Sequence, residues 1–97
     1  MLEPQTDLAI FKLYLWRCVE CKRMATELNH IIPKSRGTEY DVWWNKVPMC
    51  HTCHDFYHKG GVDESKITML QDRSLKFLTQ IGKEEYAKEI QEKSRVP

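Results

Sequence analysis

Apolar side chains at Leu8, Phe11 and Leu15 recur close to the 3.6-residue period of a helix, and Thr6 or Asp7 is available to cap it. The pattern predicts a first helix over residues 6–17. The clearest run lies later in the chain. Ile67, Leu70, Ser74, Phe77, Leu78 and Ile81 repeat at intervals of three and four, behind Asp63 as N-cap and ahead of Gly82 as a stop, which predicts a long amphipathic helix. A further helix is expected to open around Lys83 to Glu85 and to present Tyr86 and Ile90 on one face. Residues 23–33 mix β-compatible side chains and end at Pro33, so a short strand or hairpin is expected at about 26–32. Cys53 to Lys59 reads as a short helix stopped by Gly60 and Gly61. No internal repeat or low-complexity segment interrupts these elements.

A chain of 97 residues has the length of one domain. Folded chains of this size bury only roughly 60 to 65% of the surface that the unfolded form exposes, so an apolar core alone gives thin stability. With 41% hydrophobic and 30% charged residues, the composition is that of a folded domain and not of a disordered chain. The net charge of +1 does not announce a nucleic-acid partner, but the charges are unevenly spread. Residues 17–36 carry Arg17, Lys22, Arg23, Lys34 and Arg36 against Glu20 and Glu27, whereas residues 62–97 hold seven basic and seven acidic groups. The expected cationic surface is therefore 17–36, and the C-terminal third reads as a solvated helical face. Residues 1–7 lack the basic start of a signal peptide. The most apolar stretch, Leu8 to Trp16, contains Lys12 and falls short of the ~20 residues that span a bilayer. A soluble, cytoplasmic protein without membrane contact is expected, and in that compartment thiols stay reduced.

The four cysteines form two pairs of equal spacing, Cys18-Val-Glu-Cys21 and Cys50-His-Thr-Cys53, separated by 28 residues. Two residues between thiolates let both sulfurs turn onto one ion, and two such knuckles complete the tetrahedral shell of structural zinc. Two disulfides, or a thioredoxin-like redox pair, are the alternative reading of the same cysteines. A closed zinc site would supply the staple that a thin core calls for. Among the histidines, His54 and His58 stand four apart on the expected short helix, so they share a face and can close on one divalent ion. His51 lies between the cysteines of the second pair and is expected to be exposed or to support a neighbour. One of Trp43 and Trp44 is expected in the core, leaving the other to meet a partner.

Asn29-His30, Asn45 fifteen residues on, His54 nine further and His58 four further sit inside the two Cys-x-x-Cys pairs. Together with Ile31-Ile32-Pro33 and the run from Asn45 to His54, this arrangement over residues 17–59 resembles the HNH endonucleases and their ββα-metal finger. The resemblance implies an α+β fold: a ββα-metal finger stapled by a four-cysteine zinc site and flanked by an N-terminal helix and C-terminal helices. It implies one nuclease domain over 1–97, with a helix in 1–17, the zinc-stapled core in 18–60 and a helical extension in 61–97. It implies His30 as general base, an unperturbed imidazole pKa near ~6.5 suiting that role. Asn29, His54 and His58 would hold a divalent cation, Mg²⁺ or Mn²⁺ first, with Ni²⁺ or Zn²⁺ as further options. His54 would thus belong to both the catalytic set and the ion's ligands. Asn45 would pin the loop between strand and helix and so orient His30. The family usually has Asp or His before the base, and Asn29 is a neutral, weaker ligand. Glu27, two residues earlier and on the same side of a strand, is an acidic neighbour that could compensate.

The implied activity is hydrolysis of phosphodiester bonds in double-stranded DNA. One active site would nick one strand and leave a 5′ phosphate and a 3′ hydroxyl. Arg17, Lys22, Arg23, Lys34, Arg36, Lys46 and Lys59 are the candidate phosphate contacts. The resemblance further suggests a phage- or mobile-element-type nuclease, monomeric or weakly dimeric, with no small organic cofactor. A zinc module that binds DNA or protein without cutting it is the competing expectation. A thiol–disulfide oxidoreductase is a third, disfavoured because zinc would leave no thiol free.

Overall fold

The computed structural model describes residues 3–94, so the outer ends of the expected terminal segments lie outside the described residues. The order is α1 (Asp7–Leu13), β1 (Glu27–His30), β2 (Lys46–Met49), α2 (His51–His58), α3 (Glu64–Gln80) and α4 (Glu84–Ser94). Three short 3-10 turns connect the strands, at Lys34–Arg36, Thr38–Tyr40 and Trp43–Asn45. The strands pair antiparallel with Glu27 opposite Met49, Leu28 opposite Pro48, Asn29 opposite Val47 and His30 opposite Lys46. With α2 packed against β1, they make an α+β fold built on a ββα unit, with the four cysteines gathered at its start.

β2 contains Pro48, a residue that usually argues against a strand. Its register explains the tolerance. Ile31 N donates to Asn45 O at 2.8 Å, so along the antiparallel ladder the alternate pair of Leu28 and Pro48 is one that exchanges no hydrogen bonds. The missing N–H costs the ladder nothing, and the Pro48 carbonyl turns outward to accept Val19 N at 2.9 Å. The first cysteine knuckle is thereby fixed to the edge of β2.

α1 is shorter than the expected helix over 6–17. Thr6 caps it, its hydroxyl accepting from Ala9 N, but the helix ends at Leu13. Trp16 N donates to Phe11 O and Leu15 N to Lys12 O, which is the Schellman closure with Leu15 at φ 56 where glycine is usual. The chain turns there because the next residues are taken by another pairing. Ala25 N donates to Trp16 O, Arg17 bridges Met24, and Cys18 N donates to Arg23 O at 2.6 Å. Those bonds form the hairpin that carries Cys18 and Cys21, and a helix reaching residue 17 would forbid it.

α3 follows the expected pattern closely. Asp63 caps it through Lys66 N, and Ile67, Leu70, Ser74, Phe77 and Leu78 are buried. Gly82, at φ 77, closes it with Lys83 N on Leu78 O and Gly82 N on Thr79 O. Tyr14, the C-cap of α1, places its hydroxyl on the buried Ser74 hydroxyl, while its ring stacks on Phe77 at 5.3 Å. Burial of the Tyr14 phenol pushes its pKa far up, so it stays a neutral hydrogen-bonding group. One apolar cluster runs from Ile10 through Val47 and Met49 to Leu78 and Ile90.

α3 also holds the end of α2. Lys66 Nζ donates to Tyr57 O at 3.0 Å, in the last turn of α2, to Lys59 O at 2.6 Å, at its C-cap, and to Gly61 O at 2.9 Å, in the loop that follows. The ammonium lies at the negative end of the helix dipole. Lys66→Met keeps the apolar stem and removes the three bonds. It is expected to cost about 1 to 2 kcal/mol, visible as a lowered midpoint at roughly 4–8 °C per kcal/mol for a chain of this size. An unchanged thermal melt would show that the clamp contributes nothing to stability.

Candidate functional site

The first cluster is sulfur. The Sγ atoms of Cys18, Cys21, Cys50 and Cys53 all lie within 4.8 Å of one another, and those of Cys21 and Cys50 are 3.6 Å apart. Zn–S bonds near 2.3 Å would give tetrahedral edges of about 3.8 Å, so the set matches the size of one structural zinc site. All four cysteines are free of disulfides. Cys50 is the N-cap of α2, and the Cys53 backbone N–H on its sulfur holds the Cys50 thiol down at about 7. Cys53 itself is pushed up by burial and by the neighbouring thiols. A divalent ion among the four would reverse that crowding by favouring every thiolate.

The second cluster lies between β1 and α2. Glu27 and Asn29 are two residues apart on β1 and so face the same way, toward the helix. Asn29 is buried, and its Oδ1 lies 2.9 Å from His58 Nε2, while its Nδ2 is buried without a hydrogen-bond partner. The His54 and His58 rings meet edge to face at 4.8 Å. Burial, then the neighbouring His54 and Lys66, holds the His58 imidazole below its ordinary pKa, which keeps it neutral and able to act as a ligand near neutral pH. His54 Nδ1 lies 3.3 Å from Glu27 Oε1, leaving its Nε2 for another partner. The other Glu27 oxygen accepts from His51 Nδ1 at 3.1 Å, and His51 Nε2 lies 3.1 Å from Asp55. Desolvation raises the Glu27 pKa, but the two histidines outweigh it and hold the carboxyl below its usual value. Glu27 therefore engages His54 and the exposed His51, with no contact to the Asn29–His58 pair among the described hydrogen bonds and ion pairs. Two imidazoles and an amide oxygen are a donor set that suits a divalent cation, and the orphaned Asn29 Nδ2 marks the one misfit in that set.

The third cluster is at the end of β1, on its other face. His30 Nε2 lies 3.3 Å from Asp41 Oδ1. Lys46, the strand partner of His30, reaches the same oxygen at 3.2 Å, and Lys34 approaches Asp41 Oδ2 at 3.6 Å. The His30 hydrogen bond, then Lys46 and Lys34, holds the Asp41 carboxyl below its usual range. Asn45 is fully buried behind this cluster. Its Oδ1 accepts from Ile32 N at 2.9 Å, and its Nδ2 donates to Ile32 O at 2.9 Å and to Tyr40 O at 2.8 Å. Tyr57 on α2 adds a bond from its hydroxyl to Ile31 O at 2.7 Å, and burial pushes its phenol up to about 12.

The candidate phosphate contacts divide. Lys22 is folded back, its Nζ 4.5 Å from the Phe77 ring centroid and 3.4 Å from Val19 O. Arg36 pairs with Glu64 at 2.7 Å, Lys46 with Asp7 and Asp41, and Arg17 donates to Lys22 O at 3.2 Å. Arg23 and Lys59 have no ion pair among the described residues. Trp43 and Trp44 are both buried, correcting the expectation that one is free for a partner; Trp43 meets Tyr86 of α4 edge to face at 4.8 Å. The exposed tryptophan is Trp16, stacked on Phe11 at 5.0 Å. Asp41, Tyr57 and Lys66 are site-building residues absent from the sequence reading. Asp41 sits in a loop without periodicity, and its only signal is that it lies four residues before Asn45.

Residues 18–60, somewhat under half of the chain, match the model of the HNH endonuclease family. The match covers both cysteine knuckles, the strands and α2, and ends before α3. Among curated proteins, the chain is 36% identical over 47 residues to the protein named Anaredoxin from Nostoc sp. (strain PCC 7120 / SAG 25.82 / UTEX 2576). That stretch covers 46% of this chain and 60% of the relative, so the chain spans about three fifths of the relative's length. No solved structure matches the chain significantly. No helix among the described residues is long and apolar enough to cross a membrane.

The sulfur cluster generates a direct test. Cys50→Ser removes both a thiolate ligand and the cap of α2, so the purified variant is expected to lose bound zinc and most of its far-UV helical signal. Retention of the circular dichroism spectrum and of the melting temperature would show that the fold does not need the four-sulfur site.

Proposed function

We propose that this chain, whose residues 18–60 match the HNH endonuclease family, is a metal-dependent DNA endonuclease that nicks one strand of a duplex. The observation that carries the reading is the close approach of Asn29 Oδ1 to His58 Nε2 at 2.9 Å beside His54. Asn29 directly precedes His30 in the chain. A module that needed only the four sulfurs would have no use for a second, oxygen-and-imidazole cluster one residue from an orientated histidine.

In this reading Asn29, His54 and His58 hold a divalent cation, Mg²⁺ or Mn²⁺ by the hardness of the oxygen ligand, with Ni²⁺ or Zn²⁺ also accommodated by the imidazoles. When bound, it neutralises charge on the scissile phosphate and the departing 3′ oxygen. His30 takes the proton from the water that attacks phosphorus. His30 directly follows Asn29 at the end of β1, on the opposite strand face, so in this reading the phosphate lies across that strand end, between the ion's ligands and His30. Asn45 keeps the backbone at Ile32 fixed and with it the direction of the His30 ring. Glu27 orients His54 through Nδ1, as carboxylates do for imidazole ligands. Arg23 and Lys59, unpaired among the described residues, are the first candidates for contacts to flanking phosphates, ahead of Lys22, whose ammonium is engaged by Phe77. Arg17, Lys34, Arg36 and Lys46 would exchange internal partners for phosphate.

Supercoiled plasmid incubated with zinc-loaded protein and Mg²⁺, Mn²⁺ or Ni²⁺ is expected to become open circles. His30→Ala should slow conversion by about 10² to 10⁴-fold, the usual contribution of a general base. Asn45→Ala should slow it too, with a lowered melting temperature because Ile32 and Tyr40 lose their partners. Equal conversion by wild type and His30→Ala would leave the competing reading, a zinc module that binds without cutting. The four sulfurs fit that module equally well. Asn29→Asp replaces the orphaned Nδ2 with an anionic oxygen, so the metal concentration for half-maximal binding should fall about tenfold or more. An unchanged midpoint would remove Asn29 from the ligands.

A further inference from the structure

We propose that Asp41 is a positioning residue for His30, holding the ring proton on Nε2 and leaving the Nδ1 lone pair free for the substrate. What His30 does with that lone pair rests on the nuclease reading above; the state of the ring does not.

Asp41 Oδ1 lies 3.3 Å from His30 Nε2. An ionised carboxylate has no hydrogen to donate, so a hydrogen bond at this contact requires the proton on Nε2. A neutral imidazole with the proton there carries its lone pair on Nδ1. Among the described residues, the two other charged groups in contact with Asp41 are cations, Lys46 at 3.2 Å and Lys34 at 3.6 Å, and both favour its ionised form.

The two partners are eleven residues apart in sequence, and one buried side chain sets both. Asn45 Nδ2 holds Tyr40 O, the carbonyl directly before Asp41. The same carboxamide holds Ile32 through both N and O, and the Asn45 carbonyl accepts from Ile31 N, directly after His30. Asp41 N is further tied to Thr38 O at 3.1 Å. The loop between β1 and β2 thus returns to the base with a carboxylate at its tip. Asn45 acts on His30 twice, once through the strand end and once through Asp41. If Asp41 served only to neutralise the lysines, its removal would free two cations for DNA and would not alter the ring.

The test uses the full, zinc-loaded chain labelled with ¹⁵N at histidine, as wild type and Asp41→Ala. In the wild type at neutral to mildly alkaline pH, the His30 Nε2–H proton is expected to be visible, because a hydrogen-bonded imidazole proton exchanges slowly enough to detect. In Asp41→Ala it should vanish into exchange with water, while zinc content and melting temperature stay near wild type. In the nicking assay the variant should lose about 10- to 100-fold in kcat, the usual scale for a supporting partner of this kind. KM for plasmid should be unchanged or lower. A wild-type His30 protonated on Nδ1, or a variant with kcat within twofold of wild type, would overturn the proposal. Should the wild type show the Nε2–H signal and its loss in the variant yet cut no DNA, the nuclease reading fails and the positioning role stands.

Discussion

The carboxamide of Asn45 makes three hydrogen bonds in a fully buried position, accepting from Ile32 N and donating to Ile32 O and Tyr40 O. Both amide hydrogens and the oxygen are used, so the group leaves no buried polar atom uncompensated. Between β1 and β2 the chain has only short 3-10 turns, which have few bonds of their own to define a path. Asn45 supplies the constraint from inside. It sits next to Trp43 and Trp44, whose burial keeps water away from the amide, and Trp43 leans on Tyr86 of α4. The C-terminal helices thereby help to hold the Trp43–Asn45 turn in place.

The cysteine knuckles connect to the same body. Val19 binds the Pro48 carbonyl, Lys22 lies over Phe77, and Arg73 pairs with Glu20 at 3.2 Å. The first knuckle is thus joined to both β2 and α3, and the second opens α2 with Cys50 as its cap. For a chain with limited surface to bury, a four-sulfur staple at the junction of sheet, α2 and α3 reinforces three elements at one point.

Much of this was legible from spacing. The helix faces of α3 and α4 follow from residues three and four apart, because a single buried stripe is all that those positions need to satisfy. The cysteine pairs and the His54–His58 pair were legible for a similar reason: ligand spacing is a local property of the chain. The residues that sequence reading misplaced respond to distant partners. α1 stops at Leu13 because residues 16–18 pair with 23–25, and Leu15 adopts the conformation that a glycine would have signalled. β2 is disguised by Pro48, harmless only because of the register it happens to occupy. Lys22 turns inward because Phe77, 55 positions later, offers its ring. Asp41 has no periodicity to mark it, and its meaning comes from a loop that folds back on His30.

The alternation of Asn29 and His30 on opposite faces of β1 makes the pairing of the two strands a matter of chemical identity. A slip of one residue would turn His30 toward α2 and Asn29 toward Asp41, and would carry every other side chain of the shifted strand to the opposite face as well. Glycine-free, two-stranded and only four residues long, the sheet has few hydrogen bonds of its own with which to reject that error. The rejection comes from its ends. Cys50 follows β2 without a spacer and Asn45 precedes it, so a shifted strand would misplace a sulfur at one end and an amide at the other. The sulfur cluster and the buried carboxamide thus work as a pair of proofreaders: they make the correctly aligned hairpin the one in which both are satisfied together.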